Sequence, residues 1–512
     1  MRSPVIVWCV LICKVAIGQA ETNNSPVRPI SLRDSVRLAV QHNLDLQIER
    51  YAPQIARFNL TGGYGYYEPQ FRMAAGHNSI DEPSSVDIKK ANPYFAYESG
   101  TDTFEPSLSG QLPTGLTYDL GATFANSNAR TDFSVSPDNA AAFPPNGIRS
   151  TNQFLGFAGI SLRQPLLKDF WIDSTRQRIW VNKKTLKISE LGLRQQIMNV
   201  VTKVQLAYFE LVFAREGLKV AEQSRALAQQ LVNETRSRVR VGELPPLDAA
   251  QAESQLESAQ ANVITAQQGV AERVDTLKSL LSDDFRAWAD VALEPTDPLL
   301  PKPAKLDRAD GWQTALTQRP DYLQAKLDLE RRDIVLRYEF NQLFPSLDLV
   351  GSYGSRSGLD SFEAVAGELR NSVHPSYSYG VIFSVPIGNQ TSRSRYKATR
   401  AERQQALLQF KKLEEDILVQ IDIDIKAADS HFRRLDATRA ARVFAEAALD
   451  AEQKKFAHGL STSFLVLQYQ QRLTDARRLE LRSLADYNEA LAQLALAEGA
   501  TLEQNDLELD IR

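Results

Sequence analysis

Five histidines, His42, His77, His374, His431 and His458, are the side chains best suited to bind a metal or move a proton. They are scattered over unrelated parts of the chain, with no two at ligand spacing and no cysteine beside them. The two cysteines, Cys9 and Cys13, both lie in an apolar N-terminal stretch. The glycines of TGGYGYY, from Thr61, precede a strand-like segment rather than a helix, which does not suit a phosphate cradle. Carboxylates are plentiful but alternate with Lys and Arg, the pattern of a solvated helix face. No metal, cofactor or catalytic residue is assigned, and the chain is not expected to be an enzyme.

The informative residues stand at two turns. RVRVGELPPLDAAQAE, from Arg238, breaks a long amphipathic run at Gly242, Pro245 and Pro246, and KFAHGLSTSFLVLQYQ, from Lys455, does the same around Gly459. Glycine accepts the positive φ that ends a helix, and proline suits the first turn of the next. Each turn must be held by a pair of helices.

The two turns belong to a repeated order of elements. Asp45 matches Asp321 and Pro69 matches Pro345 at one offset of 276; Pro165 matches Pro386 at 221; Gly242 matches Gly459 and Gln251 matches Gln468 at 217. Each half reads as an opening helical region (about 31–60 and 308–341), strands, a long helix (about 174–240 and 392–458), the glycine turn and a returning helix (about 246–283 and 462–498). At 1.5 Å per residue the long helices reach roughly 100 Å and the returning ones about 56 Å. Leu206, Phe209, Phe213, Val220, Leu227 and Leu231 recur at coiled-coil steps, so the helices are expected to pack side by side in water. The expected division is 1–20, an export signal; 21–305, a first repeat with helical hairpin 174–283 and Pro-rich linker 284–305; 306–500, a second with hairpin 392–498; and a tail, 501–512.

Length and composition fit a folded protein: 512 residues, 43% hydrophobic, 24% charged. A net charge of -4 disfavours a nucleic-acid partner. Arg2, the apolar run from Val5 to Cys13, and Gly18 and Ala20 have the form of a secretory signal; no lipid anchor and no spanning helix are expected. Removing that signal would leave an exported chain without cysteine, and so without disulfides.

The strands alternate. In SYSYGVIFSVPI, Tyr377, Tyr379, Val381, Phe383, Val385 and Ile387 share one face; in TYDLGATF, Tyr118, Leu120, Ala122 and Phe124 do; in SLDLVGSY, Leu347, Leu349 and Tyr353 do. An apolar face backed by a small polar one suits a transmembrane β-barrel. Four to six strands cannot close a barrel alone, and an open edge in lipid leaves backbone groups unpaired, so several chains must share it. An added hairpin turning at PTG near Pro113 either joins the wall or folds over its rim, and Asn128–Ile148 reads as an exposed loop.

On these features, and on AYFELV (Ala207–Val212), the two glycine-turn segments, QPLL and VPIG, the chain resembles the TolC-like outer-membrane efflux proteins across nearly its whole exported length. The fold implied is mainly α with a transmembrane β-barrel portion: a duplicated helix, strand and helical-hairpin unit that builds an α-helical periplasmic barrel and a shared outer-membrane β-barrel. The resemblance implies a homotrimer in outer-membrane lipid, a periplasmic adaptor (membrane fusion) protein and an inner-membrane RND or ABC-type pump. It gives the adaptor-contact role to Val241, Gly242, Leu244, Gly459 and Leu460. Two acidic positions that constrict the aperture in well-known members are Leu465 and Gln468 here; a gate arginine is Ser461, while its acidic partner is kept as Asp248. The expectation is a gate closed by packing of Phe464, Leu465 and Leu467. The cargo, whether drug, metal or protein, stays open, and a periplasmic coiled-coil scaffold is the other reading.

Overall fold

The computed structural model describes residues 27–82, 85–87, 92–94, 96–132, 148–301 and 306–507. The expected export signal lies outside them, as do most of the loop read over Asn128–Ile148, the end of the 284–305 linker and the end of the 501–512 tail.

Strand β1 (Val27–Ile30) leads into α1 (Leu32–His42), whose first turn is capped by the Ser31 hydroxyl accepting the Asp34 N–H at 3.1 Å. Helices α2 (Leu44–Glu49) and α3 (Tyr51–Tyr64) follow, then strands β2 (Gln70–Glu82), β3 (Ser85–Asp87), β4 (Asn92–Tyr94), β5 (Ala96–Gln111), β6 (Thr117–Asp132) and β7 (Ile148–Pro165). The long α4 (Ser174–Arg240) turns back into α5 (Pro246–Leu281), and α6 (Phe285–Trp288) and β8 (Ala292–Pro295) come next. The second half runs α7 (Arg308–Gln318), α8 (Pro320–Asn341), β9 (Ser346–Leu359), α9 (Phe362–Arg370), β10 (Pro375–Ser384), α10 (Gln390–Ala457), α11 (Ser463–Glu498) and α12 (Thr501–Gln504). With 67 and 68 residues, α4 and α10 are each roughly 100 Å long.

Among the described residues two compact units form. One gathers those up to Leu44, within Asn199–Leu306 and within Asp424–Leu496; the other gathers those within Asp45–Met198, within Asp307–Ile423 and from Ala497 on.

In the first unit β1 pairs in parallel with β8. The AYFELV segment holds this pair: Tyr208 is buried, its hydroxyl donates to the Ile30 carbonyl at 3.2 Å, and it accepts the Asp297 N–H at 3.0 Å. That anchor turns one side of α4 inward, so Val204, Tyr208 and Leu211 form its deepest line, while Leu206, Phe209 and Phe213 are half-buried in the single chain. Among the described residues one helix, α4, is long and apolar enough to pass as a membrane span, contrary to expectation. Half of its apolar window is buried, with Val200, Val201, Val204, Tyr208 and Leu211 in the core, so packing accounts for its hydropathy.

The same unit holds a tight ionic cluster. Arg482 donates to Glu210 at 2.5 Å, to Asp486 at 2.6 Å and to Glu489 at 3.3 Å, with Arg273 at 3.5 Å from Glu210 and Arg434 at 3.6 Å from Asp486. Burial, with the neighbouring Glu210 adding to it and Arg482 opposing it, pushes Glu489 up to about 7. Burial acts the same way on Glu210, but the Arg482 bond outweighs it and holds that carboxyl below its usual range. A raised Glu489 keeps its proton in the fold after the unfolded chain has lost it, so this residue's contribution is full below the ordinary carboxylate value and disappears as pH rises to about 7. Glu210 has the opposite sign, its contribution being lost only in stronger acid. Glu489→Gln should therefore raise thermal stability by about 1–2 kcal/mol at pH 8 and little at pH 5. Melting curves at the two pH values check this, and an equal shift at both would refute it.

In the second unit β10, β9, β7, β6, β5 and β2 form, in that order, an antiparallel six-stranded sheet. Register sorts its side chains cleanly. One row reads Phe71, Leu108, Leu120, Ile160, Tyr353 and Tyr377; the next, on the opposite face, reads Arg72, Ser107, Gly121, Gly159, Gly354 and Ser376. On the first face Phe71, Leu120, Tyr353 and Tyr377 are exposed, as are Tyr379, Val381 and Phe383 further along. So large an apolar surface is unfavourable in water and natural in lipid. The second face is concave at its foot, where Ser109, Asp119, Ser161, Arg163 and Ser352 line a hollow of ≈ 600 Å³.

Near the opposite end α9 lies against the apolar face. Val365 and Leu369 are buried over Gly156, where a Cβ would collide with both, and Phe362 meets Phe124 at 5.2 Å. The Ser357 hydroxyl donates to Glu368 at 2.6 Å.

Candidate functional site at the hairpin tips

Both long helices end in the same way. At the first tip the Gly242 N–H donates to the Val239 carbonyl at 3.1 Å and the Glu243 N–H to the Arg238 carbonyl at 2.9 Å. At the second the Gly459 N–H donates to Phe456 at 3.0 Å and the Leu460 N–H to Lys455 at 2.9 Å. These paired bonds are the Schellman closure, and the glycines supply its positive φ, +82° and +74°. The returning helices start differently. Pro246 opens α5 behind Pro245, whereas α11 follows Thr462, whose hydroxyl accepts the Leu465 N–H at 3.4 Å.

The expected site residues divide by exposure. Val241 and Leu460 stand clear of their own chain, 68% and 79% exposed, next to Gly242 and Gly459. Leu244 instead packs against a buried cluster of Leu231, Leu449, Phe456, Val466 and Leu473. Among the aperture residues Phe464, Leu465 and Gln468 face outward, while Leu467 joins that same cluster. Asp248, in the first turn of α5, accepts the Ser463 hydroxyl at 2.9 Å, so a hydrogen bond links the two returning helices. Ser461 donates to Glu452, and this bond, followed by Lys455 at 3.3 Å, holds the Glu452 carboxyl below its usual range against desolvation.

Two residues of this network were not singled out from sequence. Arg238 donates to the Phe456 carbonyl at 2.9 Å and the Ala457 carbonyl at 3.3 Å, pairs with Glu234 at 2.8 Å, and lies 4.5 Å over the Phe456 ring. It thus caps the C-terminus of α10 from the end of α4, where a cation also meets the favourable end of the helix dipole. Glu452 is the second. The available signal was position: Arg238 stands four residues before Gly242 and Glu452 seven before Gly459, where side chains can reach a neighbouring hairpin.

The tips therefore have a braced base, with Val241 and Leu460 exposed at their apices. A family model for outer membrane efflux proteins matches residues 133–282 and 312–500, more than half of the chain. The chain belongs to the outer membrane efflux protein family. The outer membrane protein TolC of Escherichia coli K12 is 24% identical over 420 residues, covering 79% of this chain and 78% of that one. The pyoverdine export outer membrane protein OpmQ of Pseudomonas aeruginosa is 24% identical over 312 residues, 60% of this chain and 63% of that one. Among solved structures the CmeC outer membrane channel of Campylobacter jejuni matches with a TM-score of 0.65 at 16% identity, covering 94% of this chain and 90% of that one. As an outer membrane efflux protein the chain resides in the outer membrane. Its long helices and strands are the tunnel and barrel portions of that fold, and its family is one of transport proteins.

Proposed function

We propose that the chain is the outer-membrane duct of a tripartite efflux or type I secretion system. Three copies share one barrel and pass cargo from an inner-membrane pump outward, with a periplasmic adaptor seated on the hairpin tips. The observation that carries this reading is the six-stranded sheet, apolar and exposed on one face, polar and concave on the other, with β2 and β10 unpaired at its edges among the described residues. Unpaired edges in lipid require further strands. The matching glycine closures support the inference that 21–305 and 306–500 are two halves of a duplicated chain.

Val241, Gly242, Gly459 and Leu460 form the adaptor contact, with Leu244 supporting them from the core. Phe464 and Leu465 close the aperture by packing between copies, resting on Leu467; Gln468 and Ser461 supply no charge there, which leaves Asp248 as the source of any cation preference. The test is planar-bilayer conductance of the purified protein with its mass determined in detergent. Trimers that open discrete channels, with Leu465→Ser raising the conductance, are expected. A folded protein that stays monomeric and silent would favour a periplasmic scaffold instead.

A further inference from the structure

The added hairpin, β5 and β6, does not sit at an edge of the sheet. β5 is paired along β2 on one side and β6 on the other, and β6 along β5 and β7. Both rows of side chains described above run through it unbroken, Leu108 and Leu120 on the apolar face, Ser107 and Gly121 on the polar one. A flap folded over a rim would have no reason to keep this alternation in step with four other strands.

Parity then constrains closure. Each of the five pairings in the sheet is antiparallel, so β2 and β10, at its two edges, run in opposite directions. An edge β2 can therefore continue the same antiparallel ladder along β10 of another copy. The elements joined to these edges point to the same occupant. β2 follows α2 and α3, where Ile48 of α2 and Tyr51, Ile55 and Phe58 of α3 are exposed at coiled-coil steps; β10 leads into α10, where Leu408, Val419 and Ile423 are exposed. A second copy of this chain would cover the sheet edge and the helical stripe along one continuous seam.

We propose that three copies close a barrel of eighteen strands, six from each, in which the β5–β6 hairpin is wall and each seam joins β2 of one copy to β10 of the next. This rests on the channel reading above and deepens it. Barrel diameter grows roughly linearly with strand number, so the opening is about one and a half times as wide as four strands per copy would give. The outer-membrane end then admits bulkier cargo.

Single cysteines in the full-length protein, reconstituted in liposomes, test the wall. The native cysteines, Cys9 and Cys13, lie in the first twenty residues. Thr123→Cys, on the polar face, should react with a water-soluble maleimide, while Leu120→Cys should be shielded by lipid. Equal labelling of both would put the hairpin outside the wall and overturn the proposal. Deleting residues 97–131 across a short turn should lower by about one third the radius of the largest polyethylene glycol that enters from the extracellular side. An unchanged cut-off in a conducting channel would also overturn it. For the seam, Ser378→Cys is paired in turn with Arg72→Cys, Ala74→Cys and Gly76→Cys, all on the polar face. At least one pair should form a disulfide ladder ending at the trimer. No ladder from a trimer that still conducts would sink the seam alone, whereas silent monomers would sink the channel reading and this proposal together.

Discussion

Arg238→Ala is expected to release the end of α10 from the end of α4 and loosen both tips. The side chain makes two hydrogen bonds to carbonyls of the last turn of α10, lies over the Phe456 ring, and is mostly buried. Charged hydrogen bonds contribute about 1.5–3 kcal/mol, a cation over an aromatic ring about 0.5–2, and a cation at a helix C-terminus about 0.3–1. These terms overlap, so a local loss of about 2–4 kcal/mol is expected, felt as faster amide exchange over residues 454–460 and as larger or noisier single-channel currents. Lysine should restore part of this, because an ammonium can reach one carbonyl but cannot fork across two. Unchanged exchange in Arg238→Ala would show that the bonds are incidental.

Leu460→Asp should act without touching the fold. Leu460 is exposed at the apex of the second tip, and its side chain can be made polar without emptying any packed space in its own chain. If the apex is where an adaptor seats, a carboxylate there must be desolvated against an apolar partner surface, and a central contact of this kind is worth about 2 kcal/mol or more. Adaptor capture should fall by roughly 30-fold or more, export should fail, and bilayer conductance and melting temperature should remain those of the wild type. Val241→Asp should do the same from the first tip. Full export with either variant would move the docking surface away from the apices.

Much of this architecture is local, and local features were readable. The glycine closures were placed at Gly242 and Gly459 from residue type alone, because positive φ is a property of single residues. The long helix expected at 174–240 is α4, and the one expected at 392–458 is α10, Gln390–Ala457. Alternation likewise marked the strands. Contacts between distant segments were not readable: Arg238 meets Phe456 across 218 residues, and no local pattern says which cation will find which carbonyl. The inward line of α4 was set by the bond from Tyr208 to Ile30, 178 residues away, which the heptad spacing could not supply. Helix α9 escaped notice because nine residues with Phe362, Val365 and Leu369 at helical spacing make a weak signal beside two strong strands.

That short helix has a consequence for how the molecule rides in its membrane. It occupies the same face of the sheet that Leu120 and Tyr353 present further down, and it shows its own exposed Glu363 and Arg370 to the surroundings. Hydrocarbon chains wetting that face are stopped where α9 begins, since the surface there is already protein and its outside is charged. The helix is a waterline drawn on the hull, the level at which the exposed apolar face of the sheet gives way to charge.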